Sequence, residues 1–495
     1  MKIAFVTPEL QSLVRRTNLA SVSQSLCEAL SNSGSDLRVF LPYSALVDTE
    51  VIEPTNVVAE VQVSEGILGK TTFRVRMGKL NNLTIYLFEN DKLFANKNPY
   101  GDDSGPYADN WRRYAAFSRA VLASLEPLGF SPDIIHCLDW TTGLIPMLHQ
   151  IEYVEKYPDH PVSRAGTFFA IHNLAIQGAF ERDILPKIDI PHTYFKGSGG
   201  IELGGKVNFL KAGAEFATII GTHSASHAQK IQELDRGYGL ESTFAARKKE
   251  LVGITNGIDY HAWDPEHDTM LPSAFSATDL AGKKRCKAAL QTTLRLDTGP
   301  RTPIVCTIGR FDADSGFDLI AQNITQFLER NVEMVVMGSG QPDIHQRLRT
   351  IEESFIGRFR MVESYDQTMA HLMMGGADIL LLPSHYQPSS PLFAIAMRYG
   401  VVPVVYQKSG LEDVIIDVQD DPASGTGFHF APYSSEGLMT SFNEVVKLYR
   451  DASAWTKLST RCLNQDFSWN STAAEYTKAY RRVTRRAKAR REGAV

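Results

Sequence analysis

Lys2-Ile3-Ala4-Phe5-Val6 runs into Thr7-Pro8-Glu9-Leu10, and after Leu13-Val14 the chain reads Arg15-Arg16-Thr17-Asn18-Leu19-Ala20. The first five residues have an apolar strand pattern, and Leu19, Val22, Leu26 and Leu30 then fall on one helical face. A strand–loop–helix opening of this kind aims backbone N–H groups and a helix N-terminus at an anion. Close approach of a phosphate favours glycine, whose missing Cβ leaves the backbone bare. The turn here carries Thr17 and Asn18 and no glycine. This stretch has the architecture of a phosphate loop without the residues that let phosphate in.

Outward from it, strand and helix patterns alternate. Leu37–Leu41, Thr84–Phe88, Ile134–Cys137 and Thr167–Ile171 read as short apolar strands, with helical patterns over Asn110–Leu125 and Asn208–Ala217. The polar insertions Phe94–Asp109 and Leu185–Gly205 are long enough to shape a cleft. A break falls near Asn256-Gly257-Ile258-Asp259, and a second series begins with strand Pro303–Ile308, then Met334–Met337, Ile379–Leu382 and Val401–Tyr406. Two successive βαβ series predict an α/β protein of two Rossmann-like, doubly wound domains facing a cleft, with ligands at the carboxyl ends of the strands. The expected division is 1–265, 266–470, and a C-terminal helix 471–495 that packs back on the first domain. Arg481, Arg482, Arg485, Arg486, Lys488, Arg490 and Arg491 crowd the end of that helix. They read as a solvated helix end suited to the C-terminal dipole, or as a contact for an acidic partner.

Composition narrows the class. The 495 residues suffice for two or three full cores, and 43% hydrophobic with 22% charged residues is ordinary for a globular protein. A net charge of -5 argues against a general nucleic-acid binder. No apolar run approaches the ~18 residues of a membrane span, and the start is not that of a secretory signal. Cys27, Cys137, Cys286, Cys306 and Cys462 lack Cys-x-x-Cys spacing, so we expect reduced thiols, neither zinc site nor disulfide framework, no cofactor, and a cytoplasmic setting.

The motifs resemble those of the ADP-glucose-dependent glycogen and starch synthases, retaining glucosyltransferases of the GT-B architecture. The resemblance runs in order through nearly the whole chain. It includes Asp109-Asn110-Trp111-Arg112-Arg113-Tyr114 through Arg119, Asp139-Trp140-Thr141-Thr142-Gly143-Leu144, Ile171-His172-Asn173 through Gly178, and Asn208-Phe209-Leu210-Lys211-Ala212-Gly213. It continues through Asn256-Gly257-Ile258-Asp259, Ser364-Tyr365-Asp366 and Gly425-Thr426-Gly427-Phe428 to Asp466-Phe467-Ser468-Trp469. The resemblance implies a cleft lined by Arg15, Asp139, His172, Arg310, Tyr365 and Gln387. His172 would lie against the donor sugar, and Asp139, Trp140 and Asn110 would serve the acceptor. Arg15, Asn18, Arg310, Tyr365 and Ser390 would serve the nucleotide sugar. Read from the residues alone, His172 is as well explained as a capping or packed histidine, Asp139 as a helix cap and Tyr365 as core packing.

Several active-site positions depart from the family pattern. The family's Lys-x-Gly-Gly-Leu is Arg15-Arg16-Thr17-Asn18-Leu19 here, keeping a cation and the leucine but neither glycine. The second-domain Arg is kept as Arg310, but the Lys five residues on is Ser315, with Asp312 and Asp314 beside it. Glu-Pro-Cys-Gly-Leu becomes Gln387-Pro388-Ser389-Ser390-Pro391, and family histidines near Asp139 are Leu138 and Thr141. Expelling a nucleoside diphosphate needs cations and backbone donors at the phosphates. These changes remove them together, and Arg15 does not match the geometry of a lysine. We therefore expect a relative whose glucosyl transfer is lost or strongly impaired, binding α-glucan (glycogen or a maltooligosaccharide), a nucleotide sugar or an active synthase. The alternatives are an active glycosyltransferase extending α-1,4-glucan from ADP-glucose, or one using a different nucleotide sugar. No nucleic-acid or membrane partner is expected.

Overall fold

A computed structural model describes residues 1–495 apart from Ala45, Glu53, Thr55, Asn96, Asp235, 297–298, 387–389 and 494–495. The chain divides into two compact units, Met1–Thr255 with Trp469–Val495, and Asn256–Ser468. The division thus falls before the Pro265 expected from sequence. The last helix begins at Trp469 rather than Ser471.

Among the described residues the first unit is built on a nine-stranded sheet. Its strands are β1 (Lys2–Val6), β2 (Asp36–Pro42), β3 (Val57–Ser64), β4 (Lys70–Leu80), β5 (Leu83–Glu89), β6 (Ile134–Leu138), β7 (Gly166–Ala170), β8 (Ile219–Thr222) and β9 (Leu251–Gly253). They lie in the order β9-β8-β7-β6-β1-β2-β5-β4-β3, parallel except where β4 pairs antiparallel with β3 and β5. β1 sits between β2 and β6, with Ile3 beside Leu37 and Ile134, so chain order reverses there. β6 and β7 are buried at every position, which is why they read as unbroken apolar runs.

The helix Trp469–Arg491 packs on this sheet through Tyr476, Tyr480 and Val483. The Tyr480 hydroxyl lies 2.5 Å from Nδ1 of buried His136 on β6. Burial pushes that imidazole down to about 3, so it stays neutral. Gly166 has no room for a side chain, because a Cβ would lie 2.3 Å from Val483 Cγ1. Part of the basic tail is also engaged: Arg486 pairs with Glu250, and Arg490 donates to Gln150 at 2.7 Å. Tyr480→Ala should destabilise the first unit by about 3–5 kcal/mol, as other buried aromatic truncations do. Urea denaturation followed by tryptophan fluorescence reads this directly, and a loss below about 1 kcal/mol would mean that the helix is dispensable.

The second unit has a six-stranded parallel sheet: β10 (Ile304–Phe311), β11 (Glu333–Gly340), β12 (Phe359–Val362), β13 (Ile379–Leu382), β14 (Val402–Tyr406) and β15 (Phe428–Phe430). Their order is β12-β11-β10-β13-β14-β15, which again reverses beside the first strand. Gly338 stands opposite Gly309, where a Cβ would meet the Gly309 carbonyl oxygen at 1.8 Å. The glycines ending β11 therefore answer to strand packing as well as to any ligand. Among the described residues no helix is long and apolar enough to cross a membrane, and the five cysteines are free and buried.

Candidate functional site

In each unit the candidate residues gather at the carboxyl ends of the strands beside the point of reversal, where open α/β sheets hold ligands. In the first unit these are the loop after β1, Asp139 after β6 and His172 after β7. The loop folds back on itself through a bridge between Leu10 and Val14, anchored by buried Leu10, Leu13 and Val14. Arg15, Arg16, Thr17 and Asn18 are exposed. None of the four has positive φ, and Asn18 is already helical at φ -65°. The missing glycines thus cost this backbone nothing in strain; they narrow a ligand's approach.

A residue with no role assigned from sequence occupies the loop. Glu9 is fully buried. Its Oε2 accepts from the backbone N–H groups of Arg16 and Thr17 at 2.6 and 2.8 Å, and its Oε1 from the Thr17 hydroxyl at 2.9 Å. The Tyr100 hydroxyl donates to the same Oε1. Burial, then the charge of Glu9, pushes the Tyr100 phenol well up, so it remains a donor. Donors that a strand–loop–helix turn offers to an anion are therefore held by a carboxylate of the chain itself. The only hint in the sequence is a carboxylate placed inside a loop of phosphate-binding shape.

Asn110 is buried, donating to the Tyr100 carbonyl at 2.8 Å and accepting from Arg113 at 2.8 Å. The Arg113 guanidinium, also buried, donates to the carbonyls of Leu93, Asn98 and Pro99. The Asn110–Arg119 segment thus clamps the preceding loop, which sets Tyr100, which holds Glu9. Trp140 is 7% exposed, wedged against Tyr114, Tyr100 and Phe180, and Gly178 leaves room for its ring. Asn110 and Trp140, the residues expected to serve the acceptor, are thus buried and present little surface of their own.

Asp139 is buried with φ 52°, and its Oδ1 accepts the backbone N–H groups of His172 and Asn173 at 2.7 and 3.2 Å. It ties the end of β6 to the end of β7. Burial pushes its carboxyl up to about 7, against those two hydrogen bonds, with the charge of Glu9 adding to the rise. A folded-state value above the ordinary ~3.9 means that protonation favours the fold. The contribution is fully present below about pH 4 and is lost as pH rises through about 7. Wild type should thus lose on the order of 3 kcal/mol relative to Asp139→Asn between pH 4 and 8, measured by urea unfolding at each pH. Equal losses in both proteins would show that Asp139 titrates normally.

His172 is half-buried, with its Nε2 left without a partner. Its ring meets His223 edge-on at 5.3 Å, and His223 Nε2 donates to the His172 carbonyl at 2.7 Å. Burial, aided by both His223 and His136, holds the His172 imidazole well below its ordinary value. The neutral imidazole thus keeps a buried, unsatisfied Nε2. His223, just after β8, stands in none of the motifs that mark the site in the sequence. Among the described residues no group of three or more His, Cys, Asp or Glu could hold a metal.

In the second unit Arg310 ends β10 with its side chain 78% exposed, 3.2 Å from Asp312. Asp312 also accepts the Ser315 N–H at 2.8 Å, so it holds the turn and shares the guanidinium. The exposed pair is weak, worth at most about 1 kcal/mol, but it sets a carboxylate against any phosphate approaching Arg310. Ser315 offers that phosphate no charge. Tyr365, 61% exposed, follows β12 and is not core. The Ser390 hydroxyl accepts the Leu392 N–H at 3.3 Å and starts the next helix. Gln387 lies outside the described residues.

Known proteins match along this whole length. Residues 2–246 match the family model described as starch synthase catalytic domain, and 295–461 that described as glycosyl transferases group 1. A glycogen synthase of Geotalea uraniireducens is 35% identical over 97% of this chain and 98% of its own length. One from Anaeromyxobacter sp. (strain Fw109-5) is 33% identical over 97% and 99%. Among solved structures, the catalytic domain of starch synthase IV from Arabidopsis thaliana, bound to ADP and acarbose, superposes with a TM-score of 0.81 at 28% identity, covering 98% of this chain and 99% of that one. Sucrose-phosphate synthase from Thermosynechococcus elongatus shares the fold alone, with a TM-score of 0.55 at 15% identity over 97% and 98%.

Proposed function

We propose that this chain, which belongs to the glycogen and starch synthase family, is a glucan-binding or regulatory member whose glucosyl transfer from ADP-glucose is lost or strongly impaired. The observation that carries the proposal is Glu9 seated on the Arg16 and Thr17 N–H groups. Those donors are spent, and the charge beside them repels a phosphate. Ser315 in place of a lysine weakens the second phosphate seat in the same direction. Such a protein would act on α-1,4-glucan metabolism by holding glycogen or a maltooligosaccharide, or by engaging an active synthase. Its reduced, buried thiols suit a cytoplasmic setting.

A second reading keeps it an active glycosyltransferase using ADP-glucose or another nucleotide sugar. It is favoured by the exposed Arg310 guanidinium and the unsatisfied, buried Nε2 of His172. Calorimetric titration of the full chain with ADP-glucose, ADP and a maltooligosaccharide separates the two. We expect the maltooligosaccharide to bind at least as readily as ADP-glucose. Tight ADP-glucose binding without glucan binding would favour the second reading and sink the first.

A further inference from the structure

At the amino ends of the second unit's strands lies a pocket of about 830 Å³. Pro303, Asn331 and Asp378 line it and precede β10, β11 and β13, respectively. The candidate nucleotide-sugar residues sit at the opposite, carboxyl ends of the same strands, so the pocket is a separate place in the fold. Its volume falls in the range of about 300–1,000 Å³ typical of small-molecule sites.

Its charge is one-sided. Lys283, Lys284, Lys287, Arg301, Arg330 and Arg450 line it, and among the described residues Asp378 is the one lining carboxylate. That carboxylate is already engaged, accepting from Lys287 Nζ at 2.6 Å and from the Ile304 N–H at 2.9 Å. Lys283 is buried and donates to the carbonyls of Tyr399 and Gly375, at 2.8 and 3.3 Å. Burial holds its ammonium down to about 8. Among the described residues, Lys284, Arg301 and Arg450 form no ion pair. Half-buried Tyr449, backed by buried Trp455 at a ring-centroid distance of 5.0 Å, supplies an aromatic wall beside these cations. Lys287 and Arg330 have partners in Asp378 and Glu329, and the cations left over focus a positive field on the pocket's interior, while the ring wall next to them accommodates an apolar face.

We propose that this pocket binds a phosphorylated small molecule, its phosphate taken by Lys284, Arg301 and Arg450 and its body resting on half-buried Tyr449. The phosphate could belong to a phosphomonoester with an organic ring or to an inorganic polyphosphate, and the two sources are separable by experiment. The site does not depend on whether the chain transfers glucose.

Calorimetry on the full-length protein at 150 mM salt, with a hexose 6-phosphate and with inorganic pyrophosphate, tests the proposal. We expect a Kd below about 1 mM for at least one of them. Tighter binding of the hexose phosphate identifies the ring-bearing ligand, and tighter binding of pyrophosphate the polyphosphate. The double change Lys284→Glu with Arg450→Glu should weaken binding at least tenfold, with Lys284→Gln and Arg450→Gln as a milder pair should the reversal disturb folding. Arg310→Ala, at the other end of the sheet, should leave it unaltered. Absence of heat with both probes, binding indifferent to both pairs of changes, or binding abolished by Arg310→Ala would each overturn the assignment.

Discussion

Incubated with ADP-glucose and glycogen, the purified protein should transfer glucose at least about 10³-fold more slowly than a relative with an intact Lys-x-Gly-Gly loop, second-unit lysine and carboxylate. Loss of one preorganised donor at a developing charge costs about 10²–10³ in rate. Here several are altered together. In the first unit the Arg16 and Thr17 N–H groups face Glu9 and not solvent. In the second, Arg310 shares its charge with Asp312, and Ser315 adds none. Such losses do not add, so the figure is a floor for the combined effect. Radiolabelled glucose incorporation checks it. Turnover at the ordinary enzymatic pace of ~1–10³ s⁻¹ would show that other residues hold the diphosphate.

The second large effect is recovery. Thr17→Gly, Asn18→Gly, Ser315→Lys and Gln387→Glu together should raise ADP-glucose affinity by about 10²-fold or more, as charge-assisted hydrogen bonds are regained. Thr17→Gly has a twofold action: it clears a Cβ from the loop and removes the hydroxyl that helps hold Glu9. Ser315→Lys alone should gain less than about tenfold, because the first loop would still hold phosphate at a distance. Calorimetric Kd values across the series decide this. A single Ser315→Lys change that restores full affinity would show that the Glu9-occupied loop is no obstacle.

Much of the architecture was legible because parallel strands buried on both faces read as unbroken apolar runs. β1, β6, β7, β13 and the first half of β10 declare themselves that way. The hairpin β3–β4 does not. Its burial alternates along Lys70–Leu80, with arginines and threonines between the apolar positions, so it offers no run to find. The boundary at Thr255 was likewise blurred, because Asn256–Trp263 is a loop whose side depends on contacts with Phe467 and Arg398 rather than on its own pattern.

The sequence by itself determined the α/β class, the two strand series, the family resemblance, and the absence of the glycines, lysine and carboxylate that family members carry. Those are properties of residue type and local period, which need no partner to be read. Tertiary structure alone decided what the remaining motif residues touch. Asn110, Arg113 and Trp140 are buried, and buried polar and aromatic groups must find partners, which here come from other loops and helices. Glu9 became the anion of its own loop because a buried carboxylate persists only where donors converge. Those donors are the Arg16 and Thr17 amides and a tyrosine 91 positions away, brought together by the clamp at the start of the helix Asn110–Ser124.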